Sequence, residues 1–318
     1  MLNSAELKEL IAATQAHIRL RASVIEKDYY VTQVIHTLSN LENEYFRLVF
    51  CGGTCLAKAH QIVHRMSEDV DFKIQPKQVE IPFSKTRFLK ELKQFRAYIQ
   101  SQINLVAGLT ASEPIVRNEG RYSRIDLTYP SSFATDVGLR PHILLEFTLS
   151  DVRRDVVDLP VKTLIETNLK NVVLLPPCLT SCVTVDETAI EKWVGLTRRI
   201  IAIERGHHED DKSLIRHVYD LNAIQQADKI HSIFFTLAKD IVINDAKQFK
   251  NQHPEYSINP SDEIILSLAL LKSKTEWNKR YQEFVETMVF DNKSVLEYDK
   301  AITIIELISS KVINNLNQ

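Results

Sequence analysis

The chain has 318 residues, 44% of them hydrophobic, and 39 Lys and Arg against 41 Asp and Glu give a formal charge of −2. That is the profile of a globular protein with apolar material for two modest domains or one large one. It argues against a surface that coats nucleic acid throughout, while allowing a local basic patch. No basic segment followed by an apolar one opens the sequence and no run of about 18 apolar residues occurs, so a cytoplasmic protein without a membrane span is expected.

Apolar residues at helical spacing predict helices over residues 4 to 19 and 23 to 39, the second opened by a capping-box pattern of Ser23 and Glu26. YFRLVF at 45 to 50 reads as a strand, Gly52 and Gly53 break it, and TCLAKAHQIVH resumes helical spacing from Thr54. DVDFKI at 69 to 74 alternates with period two, which places Asp69 and Asp71 on one face of a strand. Beyond Pro82 a long helix is expected through SKTRFLKELKQFRAYIQSQINLV, then a hairpin turning near Asn118 to Gly120, then a strand in HILLEFTLS at 142 to 150. VVDLP, VKTLIE and NVVLLPP extend or flank the sheet. Pro176 and Pro177, followed by a Cys/Thr/Ser-rich run, form the best linker. They divide the chain into an α/β domain with N-terminal helices, residues 1–177, and a helical domain, residues 178–318. Helical spacing in the latter runs through DETAIEKWVGLTRRIIAIE, DDKSLIRHVYDLNAIQQ, HSIFFTLAKDIVINDAKQF, SDEIILSLALLKS and KAITIIELISSKVINNL.

Only seven glycines occur, and two of them sit together between a strand and a helix. Such a turn either meets a need for positive φ or brings backbone N–H groups and a helix N-terminus up to a phosphate. Two carboxylates at i and i+2 on a strand are either a solvated strand end or a clamp for Mg²⁺. A phosphate cradle and a metal clamp joined by one short helix suit nucleotidyl transfer. A third metal-binding carboxylate is expected at Glu146, mid-strand among apolar neighbours where an uncompensated acid is costly to bury, with Asp126 in SRIDLTYP as its competitor. The two CxxxC pairs, Cys51 with Cys55 and Cys178 with Cys182, read as buried free thiols rather than a zinc site. His207 and His208 read as part of a hydrophilic interhelical loop.

GGTCLAKAHQIVHRMSEDVD resembles the first motif of the AbiEii/AbiGii (MenT-like) nucleotidyltransferase toxins, within the DNA polymerase β-like superfamily pattern of GG[ST], a spacer and Dx[DE]. Lys58, Arg65, Ser67, Glu68, Asp69 and Asp71 match its GGTxLxK and RxSEDxD form. Upstream, Glu26, Lys27 and Asp28 match an EKDY segment. Downstream, LRPHILLEF resembles a second acidic strand, and EKWVGLTRR with RHVYDL resembles helical-domain motifs. The resemblance implies an α+β fold: a polymerase β-like domain, a mixed sheet flanked by helices, followed by an α-helical domain. It also implies nucleotide binding at Gly52, Gly53, Thr54, Lys58, Arg65, Ser67 and Lys192, with Gly53 and Thr54 on phosphate and Lys192 steadying the triphosphate. Mg²⁺ or Mn²⁺ is implied at Asp69 and Asp71, and a need for Asp220 in activity. The clustering of Lys192 with Arg198, Arg199, Arg205, Lys212 and Arg216 agrees with phosphate binding, the bland reading being a solvated helical surface. Asp220 reads otherwise as a helix residue paired with Arg216 one turn earlier, and Lys27 and Asp28 as a surface ion pair.

The function implied is a Mg²⁺-dependent toxin that moves a nucleoside monophosphate from an NTP to an acceptor hydroxyl, at the 3′ end of tRNA, and releases pyrophosphate. Asp69 or Glu146 would receive the acceptor's proton, and a separately encoded antitoxin would be its partner. The competing readings are AMP transfer to protein, kinase-like transfer of the terminal phosphate, and a catalytically silent binding module. A DxD glycosyltransferase would need a larger nucleotide-binding domain ahead of the DxD than this chain has, and a two-metal nuclease leaves the GGT turn without a purpose.

Overall fold

The computed structural model describes residues 3–78, 84–134, 139–291 and 295–316; Pro82, where the long helix was expected to be preceded by a break, lies outside them. The chain forms two compact units, Met1–Gln61 with Met66–Thr184, and Ile62–Arg65 with Val185–Gln318.

The first unit is built on a mixed sheet. Its strands are β1 (Phe46–Cys51), β2 (Asp69–Pro76), β3 (Thr110–Ala111), β4 (Ile115–Arg117), β5 (Tyr122–Thr128), β6 (Ile143–Leu149), β7 (Val157–Pro160) and β8 (Leu179–Cys182). The order is β3-β5-β6-β2-β1-β8-β7, with β4 also paired to β5. β2 runs parallel to β6 and β1 parallel to β8, and the other pairings are antiparallel. Period-two alternation assigns the faces. Val70, Phe72 and Ile74 of β2, Ile125 and Leu127 of β5, and Ile143, Leu145 and Phe147 of β6 are buried in one core. Asp69, Asp71, Arg124, Asp126 and Glu146 alternate with them and so share the opposite face.

Helices cover the apolar face: α1 (Ser4–Gln15), α2 (Ala22–Leu38), α4 (Lys85–Ile103) and α5 (Leu164–Asn168). Leu7 and Ile11 of α1, Ile25, Val31, Val34 and Ile35 of α2, Leu92, Phe95 and Ile99 of α4, and Ile165 of α5 fall at helical spacing and join the strand residues in that core. α3 (Gly52–Lys58) lies between β1 and β2.

Local departures from the sequence expectation have physical causes. Ser23 and Glu26 do not cap α2. Its N-cap is Arg21, with no side-chain cap bond, because Glu26 is buried and accepts hydrogen bonds from Ser131 Oγ at 2.7 Å and the Ser132 N–H at 2.8 Å. True capping boxes occur at Asn3 with Glu6 and at Thr163 with Glu166. The helix from Thr54 ends at Lys58 rather than continuing to His64; Gln61 turns at φ 55°, and residues 62–65 belong to the second unit. The expected hairpin is β4 and β5, with Asn118, Glu119 and Gly120 all at positive φ.

Between the expected break after Pro177 and the second unit lies β8, whose pairing with β1 and β7 makes it part of the sheet. Among the described residues the second unit is otherwise helical: α6 (Val185–Glu204), α7 (Arg216–Gln226), α8 (Ser232–Gln248), α9 (Pro254–Ile258), α10 (Pro260–Ser273), α11 (Thr275–Met288) and α12 (Tyr298–Leu316). α6 packs on α7, α8 and α10, and α12 on α7, α8 and α10. The fully buried Trp193 of α6 donates its indole N–H to Ser309 of α12 at 2.9 Å. A mixed sheet with flanking helices, followed in the chain by a helical region, is the fold class expected from the resemblance. No helix among the described residues is long and apolar enough to cross a membrane.

The two faces of β6 should respond differently to truncation. Leu145→Ala, at a fully buried position, is expected to cost about 2–5 kcal/mol in urea unfolding, whereas Thr148→Ala, exposed three positions on, should stay within about 0.5 kcal/mol.

Candidate active site

The glycine turn and the aspartate pair meet. Cys51 ends β1 directly opposite Asp71 in the antiparallel register, and the chain then turns at Gly52 with φ +77°. A Cβ on Gly52 would lie 2.2 Å from Asp71 Oδ2, so the carboxylate occupies the space that any other residue would fill, at a φ that only glycine adopts freely. Thr54, two residues on, is buried. Its hydroxyl donates to the carbonyl of Asp69 and lies 2.7 Å from Ser67 Oγ. The Thr54 and Ser67 side chains therefore tie α3 to β2, and what the start of α3 offers a ligand is its backbone: the first N–H groups of a helix have no intrahelical acceptor.

The acids continue across the sheet. Asp71 is registered on Glu146 of β6, and Glu146 on Arg124 of β5; Asp69 is registered on Leu144, and Leu144 on Asp126. The apolar neighbours of Glu146 point to the opposite face, so Glu146 is half-buried rather than enclosed among them. Tyr122 donates its hydroxyl to Glu146, and burial first, then this carboxylate, pushes the Tyr122 phenol up. Asp126 accepts from Arg124 Nε at 2.9 Å and Nη2 at 3.0 Å, bonds that hold its carboxyl below the usual range. Of the two competing carboxylates, Glu146 is the one beside Asp71.

The EKDY segment is no surface ion pair. Lys27 is fully buried and reaches Glu68 at 2.6 Å; burial lowers its pKa, Glu68 opposing. Asp28 accepts from Lys58 and from the Leu164 N–H at 2.7 Å, so Lys58 is held by an acid. Glu68 also accepts the N–H of Arg140 at 2.6 Å, while the Arg140 carbonyl accepts from Lys27 at 2.9 Å. The Arg140 guanidinium then binds Asp69. Arg140 carries little signal in the sequence: it sits in a segment without periodicity, marked only by its place inside LRPHILLEF.

In the second unit Asp220 has no exposed surface. Arg65 holds it with two bonds of 2.7 Å and Lys192 lies 2.8 Å away. These partners come from distant segments of the chain. Burial would raise the Asp220 carboxyl, but the Arg65 and Lys192 charges prevail and hold it well below the usual carboxylate range. Asp220 thus orients two cations and is itself closed to a ligand. The neighbouring arginines are not a free patch: Arg198 meets Asp245 at 2.8 Å, Arg199 meets Asp211 and Arg205 meets Glu263. His207 pairs with Glu255 at 3.1 Å in the loop region after α6. Cys51, Cys55 and Cys182 are buried and Cys178 is half-buried, all as free thiols.

Among the described residues, no group of three His, Cys, Asp or Glu side chains is gathered closely enough to cage a metal. The donors on the acid face are hard carboxylate oxygens, and Mg²⁺ is commonly held by one or two carboxylates, completed by substrate phosphates and water. Asp69 and Asp71, two positions apart on β2 with Asp71 seated on the glycine turn, fit that need.

Two outcomes follow from these contacts. Gly52→Ala should lose about 1–3 kcal/mol in urea unfolding, because the strained φ and the displaced Asp71 carboxylate both oppose it. Asp220→Asn should cost about 3–5 kcal/mol by leaving two buried cations short of an anion. Because Asp220 titrates lower folded than unfolded, its contribution is present above about pH 4 and declines as pH falls below that; acid unfolding curves of Asp220→Asn should lack that decline.

The chain matches the family described as nucleotidyl transferase AbiEii toxin, type IV TA system, over residues 40–303. Its fold is similar to that of MenT4, a nucleotidyltransferase toxin from Mycobacterium tuberculosis, with a TM-score of 0.51 and 16% identity over 93% of this chain and 98% of that one. No curated protein sequence matches it. The chain belongs to the AbiEii family of nucleotidyltransferase toxins of type IV toxin–antitoxin systems, and is thus an enzyme that uses a nucleoside triphosphate and is paired with an antitoxin.

Proposed function

We propose that this toxin transfers a nucleoside monophosphate from an NTP to the 3′ end of tRNA in the cytoplasm, with Mg²⁺ or Mn²⁺ held by Asp69 and Asp71. The observation that carries the reading is the seating of the Asp71 carboxylate against the Gly52 α-carbon. It supports the reading because a carboxylate of the kind that holds metal and a backbone turn suited to phosphate lie side by side in the first unit, within reach of one polyphosphate.

The metal supplies charge neutralisation on the phosphates and acidifies the attacking hydroxyl. Within the first unit, backbone N–H groups at Gly53 and Thr54 receive phosphate oxygens. Asp69 and Asp71 fix the geometry of the α-phosphate, and Glu146, registered on Asp71 and oriented by Tyr122, completes the acidic row. The acceptor's 3′ oxygen forms a bond to the α-phosphorus, the bond from that phosphorus to the bridging oxygen breaks, and pyrophosphate leaves with the electron pair. The acceptor's proton passes to Asp69 or Glu146. Lys192 acts as a phosphate-binding cation and Asp220 as the residue that orients it. Gly52 and Ser67 act by shaping the turn, and Lys58 and Arg65 through the acids they hold rather than by direct contact.

Incubating purified protein with each α-labelled NTP, Mg²⁺ and total tRNA or total protein tests the reading. Label is expected on tRNA with release of pyrophosphate, reduced at least about 100-fold in Asp69→Asn and Asp71→Asn and strongly in Lys192→Ala, the scale of losing a group that acts in the transition state. Label on protein instead, or transfer only from γ-labelled ATP, would shift the acceptor or the reaction. Transfer undiminished in both aspartate variants would exclude the site.

A further inference from the structure

We propose that Arg140 is an electrostatic latch on the nucleotide site, neutralising Asp69 while no metal is bound and carrying its guanidinium over to the polyphosphate when metal and nucleotide enter. The proposal rests on the reading of Asp69 as a metal ligand.

Three features of Arg140 support it. First, its backbone is pinned at both poles: its N–H donates to Glu68 at 2.6 Å, and its carbonyl accepts from Lys27 at 2.9 Å. Those two anchors form one buried ion pair. Burying such a pair is costly, and removing either partner would leave a charge uncompensated. The Arg140 α-carbon therefore has a fixed position beside β2.

Second, its side chain is free of that constraint. It is 40% exposed where Asp69 is 21% exposed. A pair open to water to this extent contributes little and exchanges readily, in contrast to the fully buried Lys27 beneath it.

Third, the chemistry of the two partners is interchangeable. A guanidinium presents the same planar fork to a carboxylate and to a phosphate. A cation on Asp69 opposes the approach of a second cation to that carboxylate, so metal binding and the Arg140–Asp69 contact compete. Once the metal is seated, the nearest new anion is the polyphosphate that arrives with it. The latch thus keeps the acid row from collecting metal ahead of nucleotide and adds a phosphate contact when both are present. A pair that merely stabilised the fold would predict a lower unfolding midpoint in the variant with metal affinity unchanged.

The test measures Mn²⁺ binding by electron paramagnetic resonance in the absence of nucleotide, and binding of each of the four NTPs with Mn²⁺ by calorimetry. For Arg140→Gln, Mn²⁺ alone is expected to bind about fivefold to tenfold more tightly than to the wild type, about 1 kcal/mol at the usual conversion, and the preferred NTP about tenfold more weakly. Arg140→Lys keeps the charge but not the fork, so it should leave Mn²⁺ binding near the wild-type value and still weaken the NTP; it also serves if Arg140→Gln fails to fold. Mn²⁺ binding abolished by Asp69→Asn yet unchanged in Arg140→Gln would overturn the latch and leave the metal reading standing. Absence of Mn²⁺ binding from wild type and both variants, with and without nucleotide, would overturn both.

Discussion

A carboxylate can lie within bonding range of a Cβ position only where there is no Cβ. Asp71 sits in that way against Gly52, and much of the first unit's site follows from it. The antiparallel pairing of β1 with β2 sets Cys51 opposite Asp71, so the first residue past the strand must be glycine if the acid is to keep its side chain over the turn. That residue must also take a positive φ to send the chain into α3. One position therefore meets a steric and a conformational demand at once. From Asp71 the parallel register carries the acid row to Glu146, and from there the antiparallel register carries it to Arg124. The polar face is a consequence of strand register, and displacing β2 by one residue would exchange it with the apolar core face.

Charged residues lie under this face as well as on it. Glu26, Lys27 and Asp28 are consecutive on α2 and all buried, yet each has a partner from a different part of the chain: Ser131 and Ser132, Glu68, and Lys58 with the Leu164 N–H. Pairs of this kind add little stability over apolar residues of equal size. They do allow few alternative arrangements, since any shift leaves a buried charge unmatched. α2, α3, the start of α5, the residue before Asp69 and the Arg140 backbone are thereby fixed against one another by charged contacts, in addition to the apolar core that α2, α3 and α5 share. The same logic applies within the second unit, where Asp220 holds Arg65, a residue from early in the chain, and Lys192 of α6.

How much of this the sequence disclosed depends on whether the signal was local. β2 and β6 were legible because burial on one face imposes period two, and the glycine turn because so few glycines occur elsewhere. The identity of the two acids followed from that alternation. Glu26 was misread because a Ser-x-x-Glu pattern marks a helix start only when those residues are free to bend back on the backbone; here a distant pair of serines claims the carboxylate. A signal was present in SVIEKDYYVTQVI, whose apolar residues surround the helix instead of forming a stripe. A helix apolar all round is buried, and charges within it must then be paired. Glu146 was placed correctly beside its apolar neighbours in sequence but not in space, since alternation sends those neighbours to the other face. The partners of Asp220 and the position of Arg140 could not be read at all. They depend on which distant segments the fold brings together, and no periodicity records that.

The charged contacts divide by exposure, and the division bears on how such a site can work. Lys27 with Glu68, and Arg65 with Asp220, are closed to water; breaking them costs several kcal/mol, so each behaves as a fixed part of its own unit. Arg140 with Asp69 is partly solvated, as are Tyr122 and Glu146. Water can replace either partner there, and the cost of exchange is correspondingly small. The site proposed for a metal and a polyphosphate would need both kinds of contact. The groups that touch the ligand must change partners in each cycle, while the groups that position them must not. Within the first unit the Lys27–Glu68 pair lies directly behind the Arg140–Asp69 contact, because the residue beside Asp69 in sequence is Glu68, whose side chain turns to the buried side and anchors the backbone of the arginine that Asp69 binds.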